Sequence, residues 1–228
     1  MTTTAMTTLY AEIDKKKISD MPQAQFPGRI VVIGTAESAQ KACEYLKKET
    51  ILGIDTETKP SFKKGTINRV ALLQVSTHDV CFLFRLNKMG VPDCLKELLA
   101  NKKQLKVGLS LKDDIHALGE RDVKEKGRYV DLQDYVLKFG ILDKSLQKLF
   151  ANVFGRRISK SQQLSNWEAG VLSRAQELYA ATDAWACIEI YERLQQLAKN
   201  RDYRFIPRVD ENEKMMSVVA DLLNQTKQ

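Results

Sequence analysis

Tyr179-Ala180-Ala181-Thr182-Asp183 lies in a segment, Arg174 to Leu197, whose apolar residues recur at intervals of three and four. That period predicts a long helix. On a helix, a tyrosine four residues before an aspartate lies on the same face. The stretch therefore places a hydroxyl beside a carboxylate, and such a face can hold a metal ion and a water molecule together.

A second acidic motif lies far upstream. Ile51-Leu52-Gly53-Ile54 is a short apolar run whose length favours a strand, and it ends in Asp55-Thr56-Glu57. Because side chains alternate along a strand, Asp55 and Glu57 share one face. The sequence thus predicts a pair of carboxylates at the end of a buried strand.

A third acidic site follows the apolar run at Val107, where the chain passes through Gly108 into a predicted helix. Either Asp113 or Asp114 can point back toward the strand ends. Sites in α/β proteins form at the carboxyl ends of strands, so acids at two strand ends and on a late helix can converge.

Together these motifs resemble the tyrosine branch of the DEDD 3′→5′ exonuclease superfamily, and most of all Werner-type exonuclease domains and ribonuclease D. The likeness rests on Asp55-x-Glu57, on Asp114 six residues after Gly108, and on Tyr179-x-x-x-Asp183. Ser165-Asn166-Trp167 adds to it, and the whole resemblance runs from Val31 to Leu197. The histidine branch has a histidine five residues before the last aspartate, and Leu178 stands there instead.

The resemblance implies two divalent metal ions, Mg²⁺ or Mn²⁺, as cofactors. It implies that Asp55 bridges both ions, that Glu57 and Asp183 complete the first site, and that Asp114 serves the second, largely through water. Tyr179 would orient the attacking water, since a pKa near 10 makes tyrosine a poor base. The residues alone favour the same cofactor, because converging carboxylates repel each other unless they bind protons or metal, and oxygen ligands suit Mg²⁺ or Mn²⁺. Asp113 is expected to face solvent.

Two positions depart from the family pattern. Ser110 stands four residues before Asp114, where many members have asparagine. Thr58 follows Glu57, where the Werner domain has a tryptophan that the resemblance associates with the substrate end.

The order of predicted elements indicates an α/β fold with a ribonuclease H-like mixed sheet flanked by helices. A helix is expected over 37–48, an antiparallel pair over 69–76 and 80–85, and a strand over 105–107. From Leu111 onward the sequence predicts helices, apart from an irregular segment at 159–167. We expect an irregular N-terminal arm over 1–28, the exonuclease domain over 29–200, and a C-terminal extension over 201–228.

Lys and Arg number 36 against 29 Asp and Glu, a net charge of +7 that suits a polyanionic partner such as nucleic acid. The candidate substrate-binding residues lie near the metal motifs, and they are Lys59, Lys63, Lys64, Lys160 and Trp167. The alternatives remain open, because charge clusters are often solvated surfaces and a tryptophan is more often core. His78 and His116 are interpreted as turn and surface residues rather than ligands.

The four cysteines, Cys43, Cys81, Cys94 and Cys187, show no metal-binding or paired spacing, so we expect reduced, mostly buried thiols. No signal peptide or membrane-spanning segment is predicted, which favours an intracellular, cytoplasmic protein.

The leading hypothesis is a metal-dependent exonuclease that releases nucleoside monophosphates from 3′ ends, with DNA slightly preferred. The alternatives are an RNA-trimming exonuclease of ribonuclease D type and a non-catalytic nucleic-acid-binding relative.

Overall fold

The computed structural model describes residues 6–61, 68–121, 123 and 127–208, in which a mixed sheet is covered by helices on both faces. The strands of this sheet are β2 (Arg29–Ile33), β3 (Ile51–Thr58), β4 (Val70–Ser76), β5 (Val80–Phe84), β6 (Leu105–Gly108) and β7 (Arg128–Asp131). Their order is β2-β5-β4-β3-β6-β7. Only β4 runs antiparallel to its neighbours among these described strands. The predicted α/β class is confirmed.

The helices are α1 (Lys15–Ser19), α2 (Ala36–Leu46), α3 (Leu86–Met89), α4 (Asp93–Ala100), α5 (Leu111–Gly119), α6 (Leu132–Tyr135), α7 (Leu146–Phe154) and α8 (Arg174–Asn200), with a 3₁₀ turn at Val136–Phe139. α7 and α8 join one apolar cluster, and α2, α4 and α5 join another on the opposite face of the sheet. The central strands β4 and β5 are buried throughout. Strands covered on both faces need near-continuous apolar sequence, which these two have.

Helix α8 lies directly across β3. It begins in a capping box, in which the side chains of Ser173 and Gln176 bond each other's backbone N–H groups. Close approach requires a glycine beneath it, since a Cβ on Gly53 would lie 1.9 Å from the Ala184 carbonyl oxygen. The contact places Asp183 over the end of β3 that carries Asp55.

The N-terminal segment differs from the irregular arm expected over 1–28. Residues Thr7–Tyr10 form strand β1, which pairs in parallel with β8 (Tyr203–Ile206), and α1 follows. Leu9 and Phe26 are 0% and 3% exposed. The expectation of irregular structure is therefore wrong for β1 and α1, because their apolar side chains pack into the domain. The domain limits at 29–200 remain a prediction.

Strand β7 contradicts the prediction that the chain after Leu111 is helical. Tyr129 and Val130 lie instead in the edge strand beside β6. The hairpin of β4 and β5 and the helices at 37–48 and 174–197 agree with expectation within a few residues. All four cysteines are buried and free. In the described part of the chain, no helix has the length and apolar character needed to cross a membrane.

Candidate active site

Asp55 and Glu57 lie in the last four residues of β3, on the face that α8 covers. They pair in register with Gln74 and Leu72 of β4, and the register shifts between Glu57 and Thr58. Such irregularities terminate pairing and redirect side chains, and they recur next to active sites. Here the shift follows the second carboxylate directly, and pairing resumes between Thr58 and Val70, so the two carboxylates lie beside an irregular end of the strand.

Asp183 reaches the same point from α8. One carboxylate oxygen of each of Asp55, Glu57 and Asp183 lies within 4.8 Å of the other two. Tyr179, one helical turn earlier, is 9% exposed, and its hydroxyl interacts with the Asp183 carboxylate. The structure thus brings these four predicted residues together.

The electrostatics of the acids follow from burial and mutual repulsion. Burial holds the pKa of Asp55 well above its usual range, and Asp114, Asp183 and Glu57 raise it further. Burial raises the pKa of Glu57 to about 9 and that of Asp183 to about 7, although Tyr179 and Lys160 act in the opposite direction on Asp183. Burial also raises the pKa of Tyr179, so its hydroxyl stays neutral at working pH.

Asp114 lies beside these acids but faces the other side of β3. Thr56 donates a hydrogen bond from its Oγ1 to Asp114 Oδ1, and burial raises the pKa of Asp114 to about 6. Asp113 is exposed and its carboxylate accepts from Ser110 Oγ at 3.2 Å. The two aspartates therefore have different surroundings, and Asp114 lies against β3 outside the group formed by Asp55, Glu57 and Asp183. Its role as a metal ligand remains a prediction.

The start of α5 is held by a residue that the sequence interpretation missed. Asp131, at the end of β7, accepts hydrogen bonds from the backbone N–H groups of Ser110 and Leu111 at 3.0 and 2.8 Å. Ser110 has a left-handed backbone with φ 58°, a conformation that asparagine tolerates better than serine. Asp131 fixes this turn and thereby the position of Asp114. An acid at the end of a strand could have indicated this role, but the sequence did not predict strand β7.

An open cavity of about 260 Å³ adjoins the acids, and it is lined by Asp55, Glu57, Tyr179 and Asp183 together with Lys160 and Gln163. Lys160 is exposed on this wall and lowers the pKa of Asp183. Its predicted place near the substrate site agrees with the geometry. Its role in binding remains a prediction.

The other described candidates for substrate binding do not line this cavity. Trp167 is 0% exposed and its ring lies 6.0 Å from that of Tyr179, centroid to centroid. It cannot stack on a base in this position, so the substrate-binding assignment of Trp167 is wrong, and its ring supports Tyr179 instead. Lys59 forms an ion pair with Glu168 at 3.2 Å and does not line the cavity. Lys63 and Lys64 lie outside the described residues.

Gln74 is a further polar residue that sequence reasoning missed. It lies opposite Asp55 across β3 and β4, is 0% exposed, and its side-chain nitrogen and oxygen have no hydrogen-bond partner in the described part of the structure. Unpartnered buried amides cost stability and call for an explanation. The signal was a glutamine within the apolar run Val70–Ser76.

The donor set fits divalent metal ions. The three acids of this group, Asp55, Glu57 and Asp183, lie close together. No described lysine or arginine forms an ion pair with any of them. Hard oxygen donors of this kind suit Mg²⁺ or Mn²⁺. Bound cations would offset the repulsion that raises the carboxyl pKa values.

Comparison with known proteins agrees with this geometry. Residues 30–199 match the family described as 3'-5' exonuclease. The chain is 32% identical to the mouse bifunctional 3'-5' exonuclease/ATP-dependent helicase WRN over 88% of its length, but it spans only 15% of that protein. It is 28% identical to a 3'-5' exonuclease of Arabidopsis thaliana, with 81% of this chain and 70% of the relative covered.

Solved structures share the fold. The Aedes aegypti Nibbler EXO domain superposes with a TM-score of 0.67 at 22% identity, covering 77% of this chain and 91% of that one. Escherichia coli RNase D, described as an exoribonuclease involved in structured RNA processing, gives 0.68 at 18% identity, covering 75% and 46%. At these identities the likeness establishes the shared architecture.

Proposed function

Because the chain belongs to the 3'-5' exonuclease family, we propose that it hydrolyses the terminal phosphodiester bond at 3′ ends of nucleic acid and releases nucleoside monophosphates. The observation that carries this proposal is the convergence of Asp55, Glu57 and Asp183, with Tyr179 beside them, on an open cavity.

The acids hold the cofactor in this proposal. Asp55 would bridge two divalent ions, Glu57 and Asp183 would complete the first site, and Asp114 would serve the second through water. Two such ions would lower the pKa of the attacking water and stabilise the departing 3′ oxygen. Thr56 holds the Asp114 carboxylate by its hydrogen bond, which fixes the position of that acid beside β3.

Tyr179 would orient the attacking water rather than remove its proton. Burial and the neighbouring carboxylates raise the pKa of its hydroxyl and so favour the neutral form, and a neutral hydroxyl can both donate and accept a hydrogen bond. The buried ring of Trp167 packs against Tyr179. That packing limits the freedom of the hydroxyl, and a positioned water reacts faster than a free one.

Lys160 would contact the phosphate of the terminal nucleotide, since it lines the same cavity as the acids. Lys59, Lys63 and Lys64 follow the first acidic motif in sequence and would attract the backbone of the entering strand. Contacts of this type carry little sequence information and weaken with salt.

DNA is the substrate we favour, with RNA as the second candidate. The support for DNA is the likeness to a relative whose name specifies it, the DNA polymerase I of Aquifex aeolicus, at 28% identity over 73% of this chain and 27% of that protein. RNA remains a candidate because an RNA-bound RNase D from Trypanosoma brucei shares the fold, with a TM-score of 0.65. A non-catalytic nucleic-acid-binding role is disfavoured by the presence of all four acids and Tyr179.

The test is a panel of 5′-labelled DNA and RNA strands of identical sequence, single-stranded and with recessed 3′ ends, incubated with Mg²⁺ or Mn²⁺. The proposal expects stepwise shortening from the 3′ end that stops with EDTA, and faster shortening of DNA. Faster shortening of RNA would reverse the substrate assignment. Binding without shortening in either metal would leave the non-catalytic alternative.

A further inference from the structure

A second group of charges lies on the same edge of the sheet as the acidic site. We call it the basic cluster, and it comprises Lys59, Arg69, Arg85, Lys88 and Arg121 around Glu168. Lys59 and Arg85 follow the carboxyl ends of β3 and β5, and Arg69 precedes β4. These positions share an edge because β4 is antiparallel to both neighbours. The cluster therefore begins two residues beyond Glu57.

Several contacts tie the cluster to the segment that follows Trp167. Lys59 Nζ lies 3.2 Å from Glu168 Oε2. Arg85 donates from its guanidinium to the Ala169 carbonyl, and Lys88 Nζ donates to the Gly170 carbonyl at 2.6 Å. Backbone carbonyls accept hydrogen bonds but neutralise no charge, so these contacts position the cations without balancing them.

Arg121 brings further positive charge to this group. Its Nη1 donates to the Leu86 carbonyl at 3.2 Å. Burial lowers the pKa of Arg121, repulsion from Arg69 lowers it further, and Glu168 raises it. The buried Nε atoms of Arg85 and Arg121 have no hydrogen-bond partner in the described ranges.

The charges in this group do not balance. Glu168 forms an ion pair with Lys59, while no described acid forms an ion pair with Arg69, Arg85, Lys88 or Arg121. Holding like charges together and leaving guanidinium donors unpartnered costs stability in the free protein. An external anion would offset that cost, and planar guanidinium groups match phosphate oxygens especially well.

We propose that the basic cluster is a second binding site, for the phosphodiester backbone of nucleic acid, and that Glu168 competes for it. The residues that would contact phosphates are Arg69, Arg121 and Lys59. When no nucleic acid is bound, Glu168 would keep Lys59 in an ion pair. The inference rests on the proposed function. The phosphates could belong to the strand being shortened or to its complement, which have the same chemistry. The experiment distinguishes these two sources.

The experiment measures the dissociation constant by fluorescence anisotropy in EDTA, where no cleavage occurs, over a salt series from about 50 to 300 mM. The probes are a labelled single strand and a labelled duplex with a recessed 3′ end. The variants are Arg69→Gln, Arg121→Gln and Glu168→Gln. The control is Lys199→Gln, an exposed lysine in the last turn of α8, about 24 Å along the helix from Asp183 at 1.5 Å per residue.

Loss of one phosphate contact should raise the dissociation constant about fivefold at ~0.1 M salt and reduce the salt slope by about 0.7 to 0.9. Arg69→Gln should show this effect, and because Arg69 is exposed the substitution should not disturb folding. Glu168→Gln should do the reverse, with tighter binding and a steeper slope, because it frees Lys59. A gain in binding cannot come from misfolding. Lys199→Gln should match the wild type.

Effects on both probes would place the contact on the shortened strand, and effects on the duplex alone would place it on the complement. Equal binding by Arg69→Gln, Glu168→Gln and Lys199→Gln would overturn the inference. That result could coexist with 3′ shortening by the wild type, which would leave the proposed function intact. Conversely, shifts in binding without any shortening would refute only the proposed function.

Discussion

Asp113 and Asp114 are neighbours in sequence with different surroundings, and they provide a matched pair of variants. Asp114→Asn should reduce the rate of nucleotide release strongly, because that carboxylate accepts from Thr56 beside the acidic site. Asp113→Asn should leave the rate near that of the wild type, since neighbouring helical residues diverge by about 100°. Single-turnover rates on one DNA strand would check this. Equal losses would show that Asp113 also serves the reaction.

Tyr179→Phe tests the role of the hydroxyl alone. The ring and its packing against Trp167 remain, so folding and substrate affinity should change little. We expect the single-turnover rate to fall by roughly 10²-fold, the order of effect that misplacing a reacting group produces. The measurement is a rate at saturating protein, with affinity determined in EDTA. An unchanged rate would remove Tyr179 from the mechanism.

The raised carboxyl pKa values predict how pH and metal act on stability. An acid whose pKa is raised on folding retains protons that the unfolded chain has already released, so stability falls with rising pH between those two values. For Asp183 and Glu57 the window runs from about 4 to about 7 and about 9 respectively. Bound cations replace these protons. The rise in Tm on adding Mn²⁺ should therefore be larger at pH 8 than at pH 6.

Thermal melts with and without Mn²⁺ at both pH values would check this expectation. Asp55→Asn is the control, because removing one of the crowded charges should raise the metal-free Tm and shrink the metal effect. A Tm increment that does not vary with pH would contradict the assignment of these acids as the metal site.

At the residue scale, local patterns were enough to predict Asp55, Glu57, Tyr179 and Asp183. Their spacing of two on a strand and four on a helix follows from backbone geometry alone. Trp167 and Glu168 could not be assigned in the same way, because burial of one and ion pairing of its neighbour depend on packing between distant segments.

At the scale of elements, the N-terminal segment packs against the two parts of the chain that carry Lys160 and Asp183. Ala24 N donates to the Arg157 carbonyl at 2.8 Å, and Phe26 N donates to Thr182 Oγ1 at 3.0 Å. The Phe26 ring lies 6.2 Å from that of Trp185 on α8. The segment thus connects the chain just before Lys160 to the helix that carries Asp183.

Phe26→Ala should accordingly destabilise the protein by about 3–5 kcal/mol, the usual cost of truncating a buried phenylalanine. Urea unfolding measures this free energy directly. Leu137→Ala is the matched control, because Leu137 is 55% exposed and its truncation should cost little. Equal unfolding midpoints for both variants would show that the N-terminal segment is not packed as described.

Elements with strong local patterns were predictable, and short ones defined by distant pairing were not. α8 has a long helical period, and β4 and β5 form a hairpin that local turn chemistry closes. β1 and β8 have four residues each and pair across nearly the whole chain. No local window contains that pairing, which explains why the segment was expected to be irregular.

At the scale of the molecule, acidic and basic residues lie next to each other along one edge of the sheet. Acids lie near the end of β3, Lys160 lines the cavity beside them, and the basic cluster begins two residues beyond Glu57, in a chain with net charge +7. A basic surface attracts a polyanion, and the acids then require cations to receive its phosphates. We therefore expect substrate affinity to depend mainly on the basic residues and catalysis mainly on the acids.

Asp55→Asn tests whether the converging carboxylates catalyse hydrolysis at 3′ ends. The measurement is mononucleotide release from a 3′-labelled DNA strand in Mn²⁺, for wild type and variant proteins with matched circular dichroism spectra. We predict nucleoside monophosphate release by the wild type and none by the folded variant, because losing Asp55 disturbs both proposed metal sites. Undiminished release by a folded Asp55→Asn protein would contradict the account.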